Sequence, residues 1–267
     1  MTDPTLLGLG LATAVVLLIG VWLIQLVTHN AGLVDVVWSA SIGVMAIEYA
    51  VLGSAPQSLR IIMALVAVGW SGRLSIYLAI RMIGAPEDSR YAALRHKWGA
   101  QANLWMLAFF ILQAVIAVVL SLSFWVVATM DVKPPVICTI AAMIIAAGSV
   151  LGEGLADAQL ARFKANPANR GWVCARGLWR YSRHPNYFFE SFYWVTFMVL
   201  AAGASLWWVT LISPVLMAVL LLKISGIPTV EARSAAGKRK GHDAYVATTS
   251  AFIPWPPKQK IGSDDNT

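Results

Sequence analysis

The stretch from Gly177 to Trp194, GLWRYSRHPNYFFESFYW, joins a cationic turn to an aromatic helix. Arg180, Arg183 and His184 supply the turn. Pro185 then opens a lipid-compatible helix that carries Asn186 and Glu190. Those two polar residues are one helical turn apart and so share a face. Polar groups are costly inside a membrane helix and mark function there. A cationic mouth that leads onto a polar face suits a phosphorylated cofactor.

The residues before this stretch extend the same chemistry. Asp157 closes an apolar run, followed by Arg162, Lys164 and the loop ANPANRGWVCARGLWRYSRHPN. Asn166, Asn169, Arg170, Arg176, Arg180 and Arg183 crowd that loop, more cations than topology requires. Arg forks grip phosphate oxygens by charge-assisted hydrogen bonds, so the loop reads as a cradle for a pyrophosphate and a further phosphate. A loop that lies on anionic headgroups is the other reading, of equal weight on composition. There is no GxGxxG after a strand and no Walker motif, which excludes a soluble-type nucleotide fold as the source of binding.

Acidic residues fall at four places at membrane depth or at its edge: Asp35, Glu48, Glu153 with Asp157, and Glu190. A carboxylate there costs a few kcal/mol at the low end of estimates, so each should face the interior with a partner. Asp35 sits roughly 3 Å into the second span and Tyr77 roughly 7 Å into the third, by the helical rise. These two are placed to meet. A phenol beside a carboxyl group can donate a hydrogen bond or a proton to a substrate carbonyl. Glu48 lies roughly 20 Å further along, expected to pair with a buried polar group such as Tyr49 or to line a substrate pocket. Arg73 is placed to neutralise one of these acids. His184 is a candidate general acid. No second ligand stands at metal spacing from it, so no metal site is expected. The pair Glu87–Asp88 followed by Arg90–Tyr91 (EDSRY) should order its loop by local salt bridges. Cys138 and Cys174 form neither a disulfide framework nor a metal set.

The elements that must position these residues are membrane helices. The chain is 58% hydrophobic and 12% charged, where a soluble domain would carry about 25% charged residues. We expect an all-α, polytopic integral membrane protein with seven spans, near 5–27, 33–53, 58–82, 103–129, 134–156, 187–203 and 205–225. Arg60 and Lys133 then fall on one side, and the other 18 of the 20 Lys and Arg on or near the opposite side. The positive-inside rule puts the N-terminus outside and the C-terminus in the cytoplasm. The net charge of +7 reads mostly as this topology signal plus attraction to membrane lipid. Neither a nucleic acid nor a protein partner is expected. Residues 1–257 form a single domain, with a substrate pocket among the N-terminal helices and a cofactor-binding half over 134–257. Residues 258–267 are a disordered tail. The segment 226–257 is too polar to span and reads as a cap folded back on the bundle, with a short helix near 228–240.

VDVVW in the second span, EDSRY, GLWRYSRHPNYFFE and the closing Tyr245, Ile253, Pro254 and Trp255 together resemble the DUF1295 branch of the steroid 5-alpha-reductase family. The resemblance covers roughly 30–257. It extends more weakly to sterol reductases and isoprenylcysteine carboxyl methyltransferases. It implies a seven-helix membrane reductase that holds NADPH in its cytoplasmic half, in a bacterial-type inner membrane. The reaction implied is reduction of the delta-4 C=C bond of a 3-oxo-4-ene steroid or related lipophilic enone. The implied cofactor contacts are Asp157, Lys164, Asn186, Tyr187 and Glu190, with Arg176, Arg180 and Arg183 in the same motif and Glu231, Arg233 and Tyr245 in the cap. The implied carbonyl-polarising acid matches Asp35 in VDVVW or Glu48 by depth. Its tyrosine partner has Tyr77 as the nearest candidate, with Trp70 competing for the aligned place. The rival activity is S-adenosylmethionine-dependent methylation of a lipid or isoprenylated substrate. A transporter is a third reading, opposed by short outer loops and by the missing internal repeat.

Overall fold

The computed structural model describes residues 3–224, 226–228, 230–231 and 239–258. Arg233 lies outside the described residues. So do most of the helix expected near 228–240 and residues 259–267 of the expected tail. Among the described residues the only β-type pairing is a backbone bridge between Trp172 and Lys240; all regular structure is helical.

The helices are α1 (Thr5–Thr28), α2 (Leu33–Leu52), α3 (Gln57–Met82), α4 (Ser89–Trp98), α5 (Ala102–Thr129) and α6 (Val136–Ala165). They are followed by α7 (Pro185–Tyr193), α8 (Val195–Leu200), α9 (Ile212–Val219) and α10 (His242–Thr248). Six helical stretches among the described residues are long and apolar enough to cross a bilayer: α1, α2, α3, Ser89–Thr129, α6 and Trp207–Ile224. The run expected as a sixth span, 187–203, is two short helices that meet at Trp194, and neither is long enough to cross. Large apolar side chains such as Val27 (82% exposed) and Leu65 (68%) point outward. That would be unfavourable in water and is natural against acyl chains, so the chain is a multi-pass membrane protein.

The chain divides into two compact units. One comprises Met1–Ile140 with Phe197–Ser213, and the other Ala141–Thr196 with Pro214–Thr267. In the first, α1, α2 and α5, with Tyr91 of α4, pack around Ala14, Leu18, Val34, Met106, Phe110 and Ala114, and α3 packs against α2 and α5. Without a hydrophobic drive inside lipid, close approach and buried hydrogen bonds must hold such helices together. Indole N–H groups supply several of those bonds. Trp22 donates to the Asn103 carbonyl at 2.8 Å, Trp38 to Gln113 at 3.0 Å and Trp125 to Asp3 at 2.9 Å. Small residues supply the approach. A methyl group on Gly10 would stand 2.4 Å from the Tyr49 hydroxyl, which itself lies 3.1 Å from Ser121 Oγ. Gly10→Ala should therefore cost about 1–3 kcal/mol by overpacking. Its lowered thermal midpoint in detergent should be partly restored by adding Tyr49→Phe, which removes the clashing oxygen. Additive losses in the double variant would contradict this account.

Candidate functional site

Two polar clusters stand out, one in each unit. In the first unit, α4 begins where Asp88 accepts the Arg90 backbone N–H, and it ends at Gly99, whose φ of +51° suits glycine. Those ends set α4 so that Tyr91 donates to Asp35 Oδ1 at 2.5 Å and Arg90 Nη2 meets Asp35 Oδ2 at 2.7 Å. Arg90 also holds Asp88 at 3.1 Å. Glu87 accepts from the Ala31 backbone at 2.8 Å and pairs with Arg95 at 2.9 Å, which reaches Gln25 at 2.9 Å. EDSRY thus forms the local salt bridge expected of it, and it also clamps the turn between α1 and α2.

Asp35 was expected opposite Tyr77; the phenol that donates to it is Tyr91. Both Asp35 oxygens accept hydrogen bonds, so this carboxylate serves as an acceptor, whereas polarising a carbonyl needs a donor. Tyr77 is half-buried on α3, one turn after Arg73, and Trp70 on the same helix is fully buried. Glu48 is differently placed. Its Oε1 accepts the Thr13 hydroxyl at 2.6 Å, while Oε2 is buried with no hydrogen-bond partner. The partner is Thr13 of α1; the Tyr49 hydroxyl is engaged with Ser121.

In the second unit, three bonds stitch the 166–184 loop back along α6. Asn169 Nδ2 donates to the Phe163 carbonyl at 2.8 Å, Leu178 N–H to Gln159 Oε1 at 2.9 Å and Trp179 Nε1 to the Ala156 carbonyl at 2.9 Å. Gly177 makes the Gln159 contact possible: its φ is +58°, and a Cβ there would fall 2.5 Å from Gln159 Oε1. The cap then closes on the loop. Arg183 N–H donates to the Ser250 carbonyl at 2.8 Å, Ser182 Oγ to Phe252 at 2.7 Å and Trp255 N–H to Tyr181 at 2.9 Å. The Tyr245 hydroxyl donates a hydrogen bond to the Trp179 carbonyl at 2.5 Å, which makes it a strut of the loop. Its phenol is pushed above the ordinary range by burial.

This scaffold places most of the expected cofactor residues. Asp157, buried on α6, accepts Asn186 Nδ2 at 3.2 Å, while Asn186 Oδ1 is buried with no hydrogen-bond partner. Glu231 meets Arg183 Nη1 at 2.9 Å and His184 Nε2 at 3.4 Å; Arg183 Nε is buried without an acceptor. The His184 ring stacks on Tyr187 with centroids 5.5 Å apart. Arg176, Arg180 and Lys164 are exposed, and Glu190 is half-buried on α7. Buried polar atoms left unmatched at a cationic loop fit a polar, phosphate-bearing ligand, since such atoms cost about 1–3 kcal/mol each when unmet. Gln159 and Thr13 were not singled out in the sequence. Thr13 is a lone polar residue in an apolar run, and that was the available signal; Gln159 lies among the polar residues around Asp157 and Arg162 and carries none of its own.

Burial pushes the His184 imidazole below its ordinary 6.5, with Glu231 pulling it up and Arg183 adding to the fall. A histidine depressed in the folded state binds protons more readily when unfolded, so its contribution is complete above 6.5 and shrinks as the pH falls. The thermal midpoint should therefore drop on acidification below that value. His184→Gln should flatten the drop; an unchanged pH profile in that variant would show that the histidine is not its source.

Comparison with known proteins gives one match. The family profile described as a protein of unknown function (DUF1295) matches residues 21–249. No curated protein and no solved structure matches the chain. With its profile covering most of the sequence, the two clusters just described belong to a member of the DUF1295 family.

Proposed function

We propose that this protein is an NADPH-dependent membrane oxidoreductase of seven spans, α7 and α8 together making one broken crossing beside the six long stretches, with its cofactor site facing the cytoplasm. Its reaction is reduction of the delta-4 C=C bond of a 3-oxo-4-ene steroid or a related lipophilic enone. The family's relation to steroid 5-alpha-reductase-like membrane proteins supports the class. The observation that carries the reading is the second unit's cluster: Asn186 and Arg183 present buried, unmatched polar atoms within a loop rich in Arg. S-adenosylmethionine carries no phosphate and would leave those cations without purpose.

In this reading Asp157 and Asn186 hold the cofactor's polar nucleoside portion. Lys164, Arg176, Arg180 and Arg183 meet its phosphates. Glu231 and Tyr245 keep Arg183 and the loop in place. NADPH, when bound, supplies the hydride. The chain's own task is to steady the negative charge that grows on the enone oxygen as the β carbon receives hydride; the resulting enolate then takes a proton from solvent at the α carbon to give the saturated ketone. A preorganised donor in a water-poor pocket does this better than water. Glu48, with Oε2 buried and uncommitted, suits that task better than Asp35, whose oxygens are both engaged. The polybasic loops favour a cytoplasmic C-terminus in a bacterial-type inner membrane.

Purified protein should oxidise NADPH, followed by absorbance of the reduced nicotinamide, when offered 3-oxo-4-ene lipids, and should leave the saturated ketones untouched. Turnover of S-adenosylmethionine with no NADPH consumption by any enone would replace this reading with the methyltransferase one.

A further inference from the structure

The second unit carries an open groove of about 450 Å³ at the end of α6. Lys164, Arg170 and Arg239 line it together with Asn169, Phe163 and Trp172. Among the described residues no acidic side chain lines it. We propose that this groove seats the headgroup of an anionic phospholipid.

The groove is a built feature. Lys240 N–H donates to the Gly171 carbonyl at 2.7 Å, and Val173 N–H donates back to Lys240 at 3.4 Å. This short bridge fixes Arg239 beside Arg170 although the two are far apart in sequence. Gly171 and Gly241 flank it with φ of +83° and +77°, a backbone that other residues rarely adopt. Lys240 lies over the Trp172 ring at 5.7 Å, a cation–π contact that holds the indole at the groove's edge.

Depth selects the ligand. About twenty residues of helix cross a hydrocarbon core of roughly 30 Å, and α6 has 30. Counted from Val136, the hydrocarbon ends near Ala156, so the final turns with Phe163 and Lys164 stand in the headgroup layer. Trp172 is half exposed, as befits an indole at that level. Cations at that height, with an apolar floor and no competing carboxylate, match a phosphate diester whose acyl chains run back into the bilayer. Arg supplies the fork geometry that a phosphate accepts. Lys164 is shared with the nucleotide reading, whereas Arg170 and Arg239 belong to this groove alone, so the test turns on those two.

The test uses the full chain in detergent micelles doped with phosphatidylglycerol or phosphatidylcholine, with retained lipid counted by native mass spectrometry. Wild type should retain phosphatidylglycerol preferentially. R170Q/R239Q should bind it about thirtyfold more weakly, given two surface cations. R170K/R239K should keep most of the retention, which separates lost charge from lost fold. Wild-type preference should also collapse at high salt. Equal retention by wild type and R170Q/R239Q would overturn the proposal. So would a preference insensitive to salt, or a loss confined to NADPH affinity with lipid retention intact.

Discussion

Replacing Glu48 by Ala should lower enone turnover about a hundredfold to a thousandfold, the usual loss when one preorganised donor to a developing oxyanion is removed. NADPH affinity should stay within about twofold, because the hydrogen-bond partner of Glu48 is Thr13 and none of the residues assigned to the cofactor depends on it. Asp35→Asn should behave differently. It leaves Arg90 and Tyr91 without their shared acceptor and should cost about 1–3 kcal/mol of stability. Its activity loss should track its lowered thermal midpoint. The two variants thus separate a donor to the substrate from a clamp on α4. Full activity in Glu48→Ala, with slow turnover in a thermally intact Asp35→Asn, would reverse the assignment.

The second large effect should come from Gly177→Ala. A left-handed backbone costs an L-residue about 1–2 kcal/mol. The added methyl group would also displace the Gln159 carboxamide that accepts the Leu178 N–H. An unmet backbone donor adds about 1–3 kcal/mol. Gln159 is a flexible side chain and can move aside, so the protein should still fold. The loop that carries Arg180 and Arg183 would lose its registration on α6. We expect a fall in thermal midpoint together with at least a tenfold weaker NADPH affinity. Gln159→Ala should reproduce part of both effects without the backbone strain. Unaltered affinity in Gly177→Ala would show that this turn does not position the cations.

Much of the first unit was legible because its helices are written as apolar runs with clear punctuation. Pro4, Pro56 and Gly53 bound α1, α2 and α3, and the expected limits near 5–27, 33–53 and 58–82 differ from the structure by a residue or so. The break at Trp194 was not legible, because neither Gly nor Pro marks it within FYWVTF. The partner of Asp35 escaped for a related reason. Depth counted along α2 and α3 points to Tyr77, but α4 is too polar and short to read as a span, and it brings Tyr91 onto the same carboxylate. In the second unit, the residue types at the site were readable from the density of Arg and Asn. Their struts were not, since Gln159, Ser250 and Phe252 act through long-range contacts that no local pattern encodes.

Titration calorimetry of the purified protein with NADPH and with NADH tests the cofactor assignment most directly. The account predicts saturable binding of both, with NADPH about tenfold to a hundredfold tighter, the worth of one extra phosphate held by charge-assisted bonds. It also predicts that Arg176→Ala, Arg180→Ala and Arg183→Ala weaken NADPH more than NADH. Absence of binding by either nucleotide, or equal affinity for both that ignores the Arg variants, would contradict it.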